Sequence, residues 1–263
     1  MQDHAGDPKI PTLPLLKCRS SRTQRQQQIH PLTMVARPRR HEPCTALRER
    51  DIPCLVWFED AIAAYGVPTV VFDLHLLVPD LDEAARALIE RGWTDAGPLN
   101  STYHFLMGPI SQRRLNPPNY TPTVQKSNPW PPPPPSQDPP GPTTTVLLPA
   151  ADWNVPTEKL RPSSPEGFVP PLDLLLDALI DSLLDAPSNT VLRTRLTTHV
   201  SYLYGHCTSL KTQDFAANIR LDHRQFHYDA LSKPSMGTVP FIEEQRQIRD
   251  EIREGKRQPQ RNA

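Results

Sequence analysis

The chain has 263 residues, no formal net charge, 37% hydrophobic residues and 33 prolines. Proline at about twice its usual ~5%, with an apolar share below the globular norm, means that part of the chain cannot offset the entropy of ordering. Its four cysteines (Cys18, Cys44, Cys54, Cys207) are far apart and include no CxxC pair. That argues against structural zinc and against a disulfide framework, and reduced thiols suit a cytoplasmic or nuclear protein.

Residues 1–50 hold ten Lys/Arg against four Asp/Glu, leaving 19 against 25 for the remainder. We read 1–51 as a disordered basic arm. No aromatic residue interleaves its charges, so a solvated tail is expected rather than a nucleic-acid-binding arm. The first residues lack the cationic start and apolar core of a signal peptide, and no run of about 18 apolar residues predicts a membrane span. Met34 is an alternative start that makes 1–33 dispensable.

Order is expected from Ile52. The apolar run 53–58 suits a buried strand, and 59–65 a short helix with Glu59 and Asp60 in its first turn and Gly66 as its stop. Residues 70–78 are apolar on both faces except at Asp73 and His75, as in an interior strand. An amphipathic helix follows over 82–91, with Ala84, Ala85, Leu88 and Ile89 inward and Gly92 beyond its end. This β-α-β-α start predicts an α/β layered sheet.

Residues 103–107 suit a third strand. Twelve prolines then fall within 116–142, a composition for extended polyproline II and not for a sheet interior. The segment reads as a disordered spacer loop, and 129–142 also fits the ligand of an SH3 or WW reader. Because β-prone 143–148 resumes afterwards, 52–240 is read as one domain interrupted by this insertion.

The second half reads as helices. One fills 172–185 between Pro170-Pro171 and Pro187. The next is capped by Ser188-Asn189-Thr190, carries the stripe Leu192, Leu196, Val200, Leu203 and Tyr204, and closes at Gly205. A third is expected over about 213–231. Residues 241–263 are read as a charged, fraying surface helix and tail, with Ile248 and Ile252 as its only seam.

One constellation carries chemistry. Trp57-Phe58-Glu59 follows the first strand, thirteen residues run from Asp60 to Phe72, and Asp73-Leu74-His75-Leu76 comes next. The spacing and the strand-helix-strand context match a nucleotidyltransferase signature. There a Gly-Gly or Gly-Ser pair lets the backbone approach a triphosphate. An acidic-x-acidic pair on one strand face then holds divalent metals. Asp152 is the nearest candidate for a third carboxylate. Phe58 and Glu59 stand at the phosphate-loop positions, one bulky and the other repulsive to phosphate. His75 replaces a metal carboxylate, and imidazole suits manganese or zinc better than magnesium. Only Asp73 is unaltered. Weak metal binding through Asp73 and His75 without transfer is therefore expected.

Val56-Trp57-Phe58-Glu59-Asp60-Ala61, Tyr65-Gly66-Val67-Pro68-Thr69, Phe72 to Asp80, Leu147 to Trp153 and His223-Arg224-Gln225-Phe226-His227 together resemble a group of uncharacterised filamentous-fungal proteins. These have a nucleotidyltransferase-like N-terminal half. The resemblance covers 52–240 outside the insertion and implies an α/β (α+β) mixed sheet with a helical C-terminal extension. It implies no activity.

Two further patterns have bland readings. Asp173, Asp177, Asp181 and Asp185 recur every four residues, which reads first as a solvated helix face. The sharper reading pairs them with Arg193 and Arg195 or with the basic arm. His223 and His227 share a helical face but lack the Glu of a metalloprotease helix, so packed or exposed histidines are expected before ligands. Three functions fit the sequence. The leading one is a catalytically inactive, nucleotidyltransferase-like binding or scaffold module. The others are an active metal-dependent transferase using Asp73, His75 and Asp152, and an adaptor acting through its proline-rich loop.

Overall fold

The computed structural model describes residues 39–97, 110–118, 142–161, 167–212, 214–233 and 236–259, all within one unit spanning 37–263. The expected strand at 103–107, residues 129–141 of the proline-rich reader segment 129–142 and residues 1–38 lie outside the described residues. Among the described residues no helix is long and apolar enough to cross a membrane.

The fold starts earlier than composition suggests, so the expected arm 1–51 is corrected at its end. Arg39–His41 forms a 3-10 turn leading into α1, Glu42–Arg48, whose Cys44 and Leu47 are fully buried. Arg40 contributes to order as well as charge. Its guanidinium donates to both carboxylate oxygens of Asp60 at 2.6 and 2.8 Å and to the Phe72 carbonyl at 2.8 Å. Burial pushes the Asp60 carboxyl up, but the hydrogen bonds from Arg40 and His41 outweigh it and hold Asp60 below the usual range.

Next come β1, Leu55–Trp57, and α2, Phe58–Ala64. Gly66 follows at φ +81°, a turn conformation that glycine adopts without steric cost. The following strand is shorter than predicted. β2 covers Leu74–Val78, while Val70 and Phe72 ahead of it are exposed. In α3, Leu81–Ile89, Asp80 caps the start by accepting from the Glu83 amide at 2.8 Å. Ile89, expected inward, is exposed. β3 (Thr94–Asp95), β4 (Arg113–Asn116) and β5 (Thr145–Pro149) complete a five-stranded mixed sheet of order β1-β2-β5-β4-β3. β2 and β5 are parallel and the other neighbours antiparallel.

Register and the two-residue pleat sort the side chains. Trp57 pairs with His75, His75 with Val146, and Arg114 with Val146, so these residues lie on one face with Asp73. The opposite face carries Leu74, Leu76, Leu147, Arg113 and Leu115. It is covered by α3, which packs on β4 and β5 with α1 beside it. All five residues of β2 are buried, as befits a strand covered on both faces.

The helical half contains α4 (Leu172–Asp185), α5 (Val191–His206), α6 (Arg224–Ser232) and α7 (Val239–Arg253). α5 is capped by Thr190 and buries Leu196, Val200, Leu203 and Tyr204, as its periodicity predicts. It runs past Gly205 to His206. The helix expected over 213–231 is interrupted by 3-10 turns at Phe215–Ala217 and Leu221–His223 before α6 begins. α7 is no fraying surface helix, since Phe241, Ile242, Gln245, Ile248 and Arg249 are buried.

The aspartate stripe explains that docking. His223, fully buried, places Nδ1 2.7 Å from Asp177 and Nε2 3.0 Å from Asp181. Asp181 also accepts from Arg220 at 2.5 Å, Arg249 at 3.3 Å and Arg253 at 2.6 Å, and Arg249 reaches Asp185 at 2.6 Å. Asp181 is therefore buried, and Asp177 partly so, against cations from the C-terminal segments. Of the arginines the sequence offered as partners, Arg193 bonds Ser188 and Arg195 bonds Glu59. The i,i+4 histidines diverge: the His227 Nδ1 meets the Tyr204 hydroxyl at 3.0 Å. They do not share a metal geometry.

Two predictions follow from these pairings. Arg40→Ala strands the buried Asp60 carboxylate and should lower unfolding free energy by about 3–5 kcal/mol in denaturant titration. The histidines give opposite pH dependences. Burial would lower the His223 pKa, but the bonds to Asp177 and Asp181 win and raise it. Its contribution is full below the unfolded value near ~6.5 and is lost as pH rises through the raised one. His227 is lowered to about 4 by burial. Its contribution is present above ~6.5 and lost as pH falls toward that lower value. Melting temperature against pH should fall less steeply on the alkaline side in His223→Gln, and less steeply on the acid side in His227→Gln.

Candidate functional site

Phe58 lies at the junction of β1 and α2 with φ +53°. A left-handed backbone costs a non-glycine residue about 1–2 kcal/mol, and the packing shows what offsets it. The ring is fully buried. It meets His75 edge-on at 5.1 Å and Trp153 edge-on at 5.0 Å, and stacks with His199 at 5.3 Å. The Arg195 guanidinium sits 4.2 Å above its centre. Each aromatic pair adds about 0.5–1.5 kcal/mol beyond the area buried, so the contacts outweigh the backbone strain.

Glu59, the next residue, is 8% exposed. One Nη of Arg195 donates to both of its carboxylate oxygens at 2.8 and 2.7 Å, and His199 Nε2 lies 3.3 Å away. Burial pushes the Glu59 carboxyl up, but the His199 hydrogen bond and the charge of Arg195 dominate and hold it well below the carboxylate range. His75 is driven down to about 3, by burial first and then by Arg195. It is neutral at pH 7, so its 3.9 Å approach to Glu59 is not an ion pair.

Asp73 and His75 do share a sheet face, as the sequence predicts, but their chemistry is committed elsewhere. Asp73 accepts from Arg114 at 2.7 Å. Burial raises its carboxyl pKa despite Arg114, Arg40 and Arg195. Asp152 lies on the 3-10 turn Ala150–Trp153 beyond β5, with its side chain exposed. Parallel register sets Pro149 level with Val78, so the chain leaves the sheet toward Asp152 at the end of β2 opposite Asp73. Among the described residues no three His, Cys, Asp or Glu side chains are grouped to hold a metal. A divalent ion does not fit this site, because each carboxylate that could ligate it is already held by an arginine.

The sequence reading missed Arg195, His199, Trp153 and Arg114. A signal for the first two was present: they are four apart on α5, one face over from its apolar stripe. The partner of that second stripe, 136 residues upstream, has no local sign. Comparison with family models, curated proteins and solved structures finds no match.

The strained turn yields an unusual order of stabilities. Phe58→Ala should cost about 3–5 kcal/mol through lost packing. Phe58→Gly should be more stable than Phe58→Ala by about 1 kcal/mol, because it relieves the left-handed strain. Paired denaturant titrations read the sign; alanine ranking above glycine would contradict the strained geometry.

Proposed function

We propose that this unit is a nucleotidyltransferase-like fold whose phosphate and metal positions have become structural, and that it acts as a non-catalytic binding or scaffold module. One observation carries the reading: the Phe58 ring fills the place where the signature's glycine would admit a triphosphate. Its positive φ keeps the backbone conformation for which glycine is used, while its side chain occupies the space. Three features support the kinship. α2 connects β1 and β2 at the signature's spacing, Asp73 just ahead of β2 falls on the same face as His75 within it, and a further strand lies parallel beside β2.

The adjoining charges agree with loss of catalysis. Glu59 is fixed as an anion next to Phe58, where a triphosphate would meet repulsion. Asp73 is occupied by Arg114, and His75 is a neutral, buried imidazole. Expected outcomes are no thermal shift with ATP, GTP, CTP or UTP in magnesium or manganese, no calorimetric manganese binding and no nucleotide consumption. Turnover that disappears in Asp73→Ala would establish the active transferase instead.

A further inference from the structure

A second cluster lies where α1 meets the start of β1, and there the fold joins two cysteines that the sequence sets ten residues apart. Cys44 is on α1 and Cys54 leads into β1. They are 0% and 3% exposed. The Cys54 Sγ lies 4.0 Å from the Cys44 carbonyl oxygen. Both are reduced.

Cys54 also forms part of the wall of a pocket of about 300 Å³, with Arg48, Ile52, Pro53, Arg161 and Phe168. That volume is several times the ~30 Å³ share of a water molecule, so a small neutral oxidant has room beside Cys54. Arg48, Arg161 and Asp51 border the same space. Cys207 is buried too but does not line this pocket.

We propose that Cys44 and Cys54 form a hydroperoxide-sensitive dithiol that closes to a disulfide. The Cys54 thiolate attacks the terminal peroxide oxygen. The O–O bond breaks, Cys54 becomes a sulfenic acid, and the other oxygen leaves as water or alcohol after taking up the thiol proton. Cys44 Sγ then attacks Cys54 Sγ. The S–O bond breaks, and the hydroxide departs as water with the Cys44 proton. In sum, two thiols lose two electrons and two protons, and one hydroperoxide is reduced. Burial, followed by the Cys54 contact, holds the Cys44 thiol well above its ordinary pKa. Cys44 is thus the resolving partner that keeps its proton, and Cys54, which lines the pocket, is the sulfur oxidised first. The bond would close a short loop through the end of α1 and pin that helix to β1.

The test exposes the full-length folded chain to hydrogen peroxide and maps its peptides without reduction. A Cys44–Cys54 linked peptide is expected, with a mass loss of two hydrogens and reversal by dithiothreitol. Cys207 should remain a thiol, and the oxidised protein should melt a few degrees higher than the reduced one. Cys44→Ser should leave a sulfenic acid on Cys54 that dimedone traps. Should that core variant fail to fold, Cys54→Ala serves instead, with Cys44 expected to stay reduced. The proposal is overturned if wild-type protein accumulates sulfinic acid on Cys54 without the link, if Cys207 reacts first, or if Cys44 oxidises in Cys54→Ala.

Discussion

A carboxylate out of water must be paired, and Glu59 ties the two halves of the chain together for that reason. Left unpaired, such a group costs several kcal/mol. Its partners Arg195 and His199 lie on α5, so α2 and α5 can dock only with this pair made. Arg195 also covers the Phe58 ring, which makes the aromatic cluster and the ion pair one unit. The same requirement recurs twice. Arg40 secures Asp60 and the Phe72 carbonyl, joining the segment before α1 to the sheet. Asp181 gathers His223, Arg220, Arg249 and Arg253, fixing α7 on α4.

These charged knots mark where the sequence is and is not legible. α4 matches its predicted span because prolines bound it and its apolar residues recur at helical spacing. α5 likewise shows its cap and stripe in plain sequence. What fails is the reading of charge. Residues 39–50 look like part of a solvated basic tail, yet Arg40 is 5% exposed. α7 looks like a surface helix because its partner, the Asp181 stripe, is some 70 residues away. A charged side chain has the same local pattern whether it meets water or a buried counter-ion, so only the tertiary structure separates the cases. Conversely, apolar Val70 and Phe72 extend the predicted strand into a stretch that runs exposed.

The helix expected over 213–231 is broken for a related reason. The Arg220 amide faces the Asp177 carboxylate at 3.3 and 3.2 Å, and the Arg220 side chain goes to Asp181 and Asp222. Holding that backbone amide toward α4 is incompatible with an unbroken ladder through this turn. The aspartates therefore do more than balance charge: they decide where α6 begins, and so where His223 is buried.

At the candidate site, the sequence gives the positions and the structure gives their meaning. The spacing from Trp57 to Leu76 locates the turn and the strand face, but it cannot say whether Phe58 points out to solvent or into the space beside His75. The neighbours decide this, and they also bear on whether the site could open. Phe58 and Glu59 are adjacent, and one arginine contacts both. Rotating the ring outward removes the surface on which Arg195 rests and weakens its hold on Glu59. The space so uncovered would carry a carboxylate freed of part of its compensation, next to Asp73. An anion entering that space would then meet negative charge that is no longer fully paired. The plug and the repulsion thus act in sequence: displacing the first strengthens the second.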